Sequence, residues 1–322
     1  MSKKLFSFGY IQLLHQAIRD PLAWSYIARR LSLSLQNIGI AHECILDIIS
    51  ILQQFETPKC EEIDVGSDLL NFQKKWRRHL DRVYFSDYES LRFPFLKTNV
   101  FDAIQSDYNL GSCLDVGCGR GCLSGQILKQ GFANKVVGID QANFESEWRE
   151  RTIESSTANL SFAMVPIDGL RIWLETQQLF DTFLMCYVLH HSNEYWTVRT
   201  LLDIQQAMTK KSRLIIVEDS FFSTAEAKHD PFHIVPLWIS LCSTSKIYTT
   251  TSAYHIQTVL DFVAVQFLAN FNEVDMSCNY KTSEDWIEMF KKLNFNICTS
   301  EYIGFPNNRD IDVPQSFFVL SI

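Results

Sequence analysis

Eight consecutive residues, Leu114-Asp115-Val116-Gly117-Cys118-Gly119-Arg120-Gly121, carry the densest chemical signal in this chain. An apolar run ends in an acid, and three glycines then alternate through a turn that opens what reads as a helix. Glycine has no Cβ to hold a ligand away, so such a turn brings backbone N–H groups close to a bound molecule. The spacing G-x-G-x-G departs from the dinucleotide fingerprint G-x-G-x-x-G, because Cys122 takes the place of the third glycine. Groups that exchange protons near neutral pH come from histidine. His190 and His191 are adjacent, while His229 and His233 lie at i, i+4 with Asp230 between them. The second pair reads as a lid-borne base, as a weak metal site, or as a solvated polar turn before Pro236. Cys118 and Cys122 share helical i, i+4 spacing, but no C-x-x-C pair occurs, so they read as buried free thiols and no metal is expected.

The elements that position these residues are legible from Ser112 onward, where short apolar runs alternate with amphipathic stretches. Strands are predicted at Cys113–Val116, Lys135–Ile139, Leu160–Val165, Asp181–Cys186 and Arg213–Val217. Helices are predicted at Leu123–Gln130, Glu145–Ser155, Leu170–Gln178 and Glu194–Met208. That alternation specifies a parallel, doubly wound sheet with ligands at the carboxyl ends of its strands. It stops between Ser220 and Tyr280, a stretch rich in aromatics and threonine and long for a simple connection, as lids and binding segments are. It resumes at the capped helix start Ser283-Glu284-Asp285-Trp286, runs to Leu293, and closes with two strand-like stretches, Asn296–Ile303 and Ser316–Ile322. The first hundred residues read as helical: one helix from Ile38 to Phe55, stopped by Thr57-Pro58, and a second starting near Ser67-Asp68.

Bulk properties narrow the class. The chain has 322 residues, 47% of them hydrophobic and 20% charged, as expected of a globular protein with a substantial core. Its net charge of −8 makes it a poor generic binder of nucleic acid. Nine scattered cysteines favour reduced thiols in a cytoplasmic setting over a disulfide framework. No signal peptide is expected, since Gly9, Gln12 and His15 interrupt the apolar stretch after Lys3-Lys4. The longest apolar runs, Ile234 to Cys242 and Val259 to Leu268, fall well short of the ~20 residues that span a bilayer.

Four motifs, taken in order, resemble the class I S-adenosylmethionine-dependent methyltransferases over Tyr108 to Ile322. They are the glycine turn, Val136-Val137-Gly138-Ile139-Asp140, the run from Phe180 to His191, and the run from Lys211 to Asp219. The third looks like the small-molecule branch often called type 11. The resemblance implies an α/β, Rossmann-like, doubly wound sheet of seven strands, mostly parallel with an antiparallel terminal strand. It implies an N-terminal mainly helical region over residues 1–107, for substrate cover or dimerisation, and a methyltransferase domain over 108–322 with a helical lid, 220–280, after the fifth strand. It implies S-adenosyl-L-methionine as cofactor. Asp115, Gly117, Cys118, Gly119 and Gly121 then meet its methionine end, with Asp115 orienting the turn and attracting the ammonium. Asp140 suits a bidentate hydrogen bond to two ribose hydroxyls, Gln141 lines the adenosine, Ile167, Asp168 and Gly169 meet the adenine, and Cys186 lines the methionine arm. Two plainer readings stand beside these: Asp140 as the cap of a helix beginning near Phe144, and Asp168-Gly169 as an ordinary turn.

Methyl transfer from a sulfonium is an in-line displacement in which alignment supplies much of the acceleration. A base is needed when the nucleophile must lose a proton. His190, His191, His229 and His233 are the candidates, a structural role being the commoner one for the adjacent pair; Tyr187, Glu218 and Asp219 are further pocket candidates. The fourth strand is not followed by Asn/Asp-Pro-Pro-aromatic or by Pro-Cys, and no paired-glutamate loop is visible, which disfavours adenine, pyrimidine and arginine methylation. The basic run Lys74-Lys75-Trp76-Arg77-Arg78-His79 reads as a solvated helix face, and Arg92 as a residue able to close over a cofactor carboxylate. The expected function is methyl transfer to an O, N or C nucleophile of a small, apolar or aromatic biosynthetic acceptor, with no nucleic-acid partner and no membrane span. A homodimer is one possible assembly. The alternatives are an RNA or protein methyltransferase that uses the N-terminal helices for recognition, and a non-catalytic cofactor-binding scaffold.

Overall fold

The alternating apolar runs from Gly111 to Ser321 assemble into one sheet in a computed structural model of the chain. The structure describes residues 8–21, 35–56, 62–105, 109–149, 159–221, 250–268, 279–304 and 315–322, with Trp24, Ile27, Leu31, Ser32 and Ser277 besides. The strands are β1 (Gly111–Val116), β2 (Ala133–Asp140), β3 (Leu160–Met164), β4 (Thr182–Cys186), β5 (Arg213–Phe221), β6 (Lys281–Thr282), β7 (Asn296–Gly304) and β8 (Gln315–Ser321). Their order is β3-β2-β1-β4-β5-β8-β7, with the two-residue β6 pairing the end of β5. Strands β1 to β5 pair in parallel, and β8 runs antiparallel to both β5 and β7. This is the expected doubly wound sheet of seven strands with an antiparallel strand from the C-terminal hairpin, and β6 is an addition. Strand order reverses between β1 and β4, which places a ligand crevice at the carboxyl ends of those two strands.

Chain packing divides the molecule into two units, the second comprising residues 88–222, 279–304 and 314–322. Its main core cluster covers one face of the sheet: Leu114, Val137, Phe183, Met185, Leu214, Ile216, Phe318 and Leu320 pack with Leu201 and Ile204 of the helix Glu194–Ala207 and with Trp286 and Phe290 of the helix Ser283–Lys292. That last helix starts as predicted, with Thr282 and Asp285 forming a reciprocal capping box. Where Pro94 removes an amide donor, the chain passes through π turns at Tyr88–Arg92 and Lys97–Phe101, and Arg92 lies in the first of them.

The other unit comprises residues 1–87, 223–278 and 305–313. Its described helices are Phe8–Arg19, His42–Gln54, Glu62–Asp87 and Thr250–Phe262, the last continued by a π turn, Val263–Leu268. Part of the insertion after β5 therefore packs with the N-terminal helices. Phe55 meets Phe262 at 5.8 Å between ring centroids and Phe72 meets Phe267 at 4.9 Å, while Gln73 Nε2 donates to the Gln266 carbonyl. The helix predicted from Ile38 begins instead at His42, because Gly39 adopts φ +89° and its N–H closes a turn on Gln36. The helix predicted to start near Ser67-Asp68 already begins at Glu62. Part of the basic run is bonded within the unit: Lys75 and the Trp76 indole both bond Asp47 at 2.7 Å, and His79 Nε2 accepts from the Ala41 N–H. His229, His233 and most of the insertion's aromatics lie outside the described residues. Among the described residues no helix is long and apolar enough to cross a membrane.

Candidate active site

The glycine turn leaves the carboxyl end of β1 with Gly117, Gly119 and Gly121 at φ +73°, +50° and +72°, values a side chain adopts only under strain. A Cβ on Gly117 would lie 2.6 Å from Val188, and one on Gly121 would lie 2.5 Å from the Trp148 ring. Two of the three glycines are thus demanded by neighbouring side chains as well as by the backbone. The turn's amides are also used internally: Gly117 and Cys118 donate to the Ile139 carbonyl, Gly119 to Asp140 Oδ2 at 3.0 Å, and Gly121 to the Cys118 carbonyl. The sequence suggested N–H groups aimed at a ligand, yet these four are already committed to the protein. A turn so committed, flanked by two carboxylates, is no phosphate cradle. It suits a ligand end that carries hydroxyls or positive charge.

Asp115 is 2% exposed and accepts from the Ser124 hydroxyl, which ties β1 to the helix Cys122–Lys129. Burial pushes its carboxyl up to about 7, opposed by the Ser124 hydrogen bond and reinforced by the charge on Asp140. Asp140 is raised as well by burial, against the pull of backbone donors. Because Asp115 holds its proton in the folded state to a higher pH than in the unfolded chain, its contribution to stability falls as pH rises from about 4 to about 7. Urea unfolding without ligand is expected to show wild type losing stability over that window relative to Asp115→Asn. Parallel pH profiles for the two proteins would refute the assignment.

Asp140 Oδ2 accepts the Gly119 N–H and Oδ1 the Ala142 N–H at 2.9 Å, and the Gln141 N–H also acts on the carboxylate, so three backbone donors brace it. The cap near Phe144 is made by Asn143, whose Oδ1 accepts from Glu145, so Asp140 braces the turn instead. Gln141 and Asp168 are exposed, and Ile167–Gly169 form a 3-10 turn after β3. Burial followed by the charge of Asp115 drives the Cys113, Cys118 and Cys186 thiols well above their ordinary range, so they stay protonated and are poor nucleophiles.

At the carboxyl ends of β4 and β5, Tyr187 turns the chain with φ +60°, an uncommon conformation for a non-glycine residue. The 3-10 turn Leu189–His191 follows. Glu218, fully buried on β5, accepts from the N–H groups of Val188 at 2.8 Å and Leu189 at 2.7 Å and pairs with His190 Nδ1 at 2.6 Å. One carboxylate therefore shapes the turn and orients the imidazole. The paired nitrogen being Nδ1, the neutral ring carries its proton there and leaves Nε2 as acceptor. Nε2 lies 3.9 Å from Asp219 Oδ2, and Tyr280 stacks on the same ring with centroids 5.7 Å apart. Tyr187 Oη donates to Gln315 Oε1 at 2.7 Å. The His191 ring lies 4.0 Å from that of His190.

Of the predicted site residues, Asp115, Asp140 and the glycines gather at the ends of β1 and β2, and Cys186, His190 and His191 at the end of β4. Sequence reading missed Ser124, Trp148, Tyr280 and Gln315. Only Ser124 had a readable signal, since it lies one helical turn past the glycines and faces back to β1. Among known proteins, a family model described as a methyltransferase domain matches residues 77–293. Among solved structures, an N,N-8-amino-8-demethyl-D-riboflavin dimethyltransferase from Streptomyces davawensis superimposes with a TM-score of 0.50 at 14% identity, over 87% of this chain and 70% of its own. A mitomycin 7-O-methyltransferase gives 0.49 at 14% identity, over 88% and 70%, and a pyocyanin biosynthetic protein 0.49 at 16%, over 87% and 72%. No curated protein matches the sequence.

Proposed function

The chain belongs to the methyltransferase domain family and is a class I, S-adenosylmethionine-dependent enzyme; on that premise we propose that it methylates a small, apolar or aromatic acceptor at a nucleophile that must lose a proton. The observation that carries the proposal is the buried His190–Glu218 pair at the carboxyl end of β4, beside the end of β1 where the glycine turn begins. A base held in one tautomer by a buried carboxylate is what a hydroxyl or protonated amine needs before it can attack.

The residues fit the cofactor. Asp140, held at the end of β2 by backbone donors, presents a carboxylate of the kind that two adjacent ribose hydroxyls require. Asp115, balanced near neutrality, can give up its proton and meet an ammonium as a carboxylate. Gln141, with Ile167, Asp168 and Gly169 at the end of β3, would line the adenosine, and Cys186 the methionine arm. When bound, the cofactor supplies an activated methyl on a sulfonium with a neutral leaving group. His190 takes the acceptor's proton on Nε2, Glu218 keeps Nδ1–H in place, and Glu218 and Asp219 offset the imidazolium charge that results. We assign transfer to residues 108–322 and acceptor choice to the helices of 1–107 and the 220–280 insertion. The acidic chain supports a small molecule over RNA. The Streptomyces structure is named for a riboflavin derivative, in keeping with that class.

His190→Gln is expected to bind S-adenosylhomocysteine as wild type does while turnover with a metabolite extract falls roughly a hundredfold. Unchanged turnover would remove His190 from the chemistry.

A further inference from the structure

Resting on the cofactor reading above, we propose that Trp148 is a latch that sets the glycine turn for the donor, and so a positioning residue for cofactor binding. Gly119 is held from both sides. Its N–H donates to Asp140 Oδ2 at 3.0 Å, and its carbonyl accepts from the Trp148 indole N–H at 2.9 Å. Three glycines in five residues give the turn many alternative conformations, and every one of them must be given up when a ligand is bound. Fixing both ends of the Gly119 residue removes most of that freedom beforehand.

The indole has a second role that only its larger ring can fill. It covers Gly121, whose Cβ would lie 2.5 Å from Cε2, and Gly138 of β2, whose Cβ would lie 2.3 Å from Cη2 and 2.4 Å from Cζ2. Phe162 on β3 packs against the ring at 5.5 Å with the planes 33° apart, and Trp148 is 2% exposed. One side chain thus couples the turn after β1 to the strand that ends in Asp140. This also explains why Gly138 is a glycine in the middle of a strand, where glycine otherwise weakens the element: the indole and the Cys118 thiol take the space. The same ring sets the direction of Asp140 indirectly, since both grip Gly119.

Calorimetric titration of the full chain with S-adenosylhomocysteine tests the latch. Replacing Trp148 by β-(3-benzothienyl)alanine keeps the fused rings and exchanges N–H for sulfur; its dissociation constant is expected to rise five- to tenfold, the size of one lost hydrogen bond, with the acceptor KM within twofold of wild type. Trp148→Phe is expected to do the same with some loss of thermal stability. Gly138→Ala drives a methyl against the part of the indole that phenylalanine lacks and to 2.8 Å from Cys118 Sγ, so it is expected to weaken binding in the wild-type background and, with only the Cys118 contact left, to weaken it less in the Trp148→Phe background. A benzothienyl protein that binds as wild type does, or additive effects in the double variant, overturns the latch while leaving the cofactor reading in place. A wild type that binds no S-adenosylhomocysteine overturns the cofactor reading and the latch with it.

Discussion

Glu218→Ala is expected to lower stability by about 3–5 kcal/mol and to abolish measurable methyl transfer. The substitution strips the acceptor from three donors at once: the half-buried N–H of Val188 and the buried Leu189 N–H and His190 Nδ1. Each unpaired buried donor costs about 1–3 kcal/mol, and at this depth water does not replace the carboxylate. Glu218→Gln separates the fold from the chemistry. Its amide oxygen still accepts from the two backbone N–H groups, so most of the stability stays. Its NH2 group now faces His190 and drives the ring proton to Nε2, the nitrogen that has to receive the acceptor's proton. Turnover is therefore expected to fall at least a hundredfold with the unfolding midpoint close to wild type. Equal losses of stability and activity in Glu218→Gln would reduce the pair to a structural brace.

Asp140→Ala is expected to weaken S-adenosylhomocysteine binding at least a hundredfold. It removes two charge-assisted hydrogen bonds to ribose, each worth about 1.5–3 kcal/mol, and a tenfold loss in affinity corresponds to about 1.4 kcal/mol. It also releases the Gly119 and Ala142 N–H groups, so the turn loses its brace from β2. Asp140→Asn keeps one acceptor oxygen, and its loss is expected to be nearer tenfold. Binding that survives Asp140→Ala would place the nucleoside elsewhere.

The sheet was legible because each strand is a short apolar run bounded by Gly, Pro or an acid, and the amphipathic stretches between them leave room only for parallel crossovers. The acids at 115 and 140 were legible for the same reason: a charge at the close of an apolar strand lies at the carboxyl ends of the sheet's strands. What each acid does was less so. Sequence cannot show that Asp140 is braced by backbone N–H groups of its own turn and of the glycine turn, or that Asp115 is buried against Ser124. The helix start at Ile38 was misplaced because apolar spacing runs straight through Gly39, and the positive φ there depends on how the turn closes on Gln36. Trp148 gave no signal at all. Its role arises where residues 119, 121, 138 and 162 converge, and no pattern of period two or 3.6 records such a meeting. The pairing of His190 with Glu218 lies between these cases: both end neighbouring parallel strands, and it is the register Cys186↔Val217 that brings them together.

The most direct measurement supplies the protein with methyl-labelled S-adenosylmethionine and a metabolite extract freed of RNA and protein, and follows where the label goes. The expected result is label in a small molecule with wild type and at least a hundredfold less with Glu218→Gln. Label that appears only when RNA or protein is restored, or equal labelling by Glu218→Gln, would contradict the account.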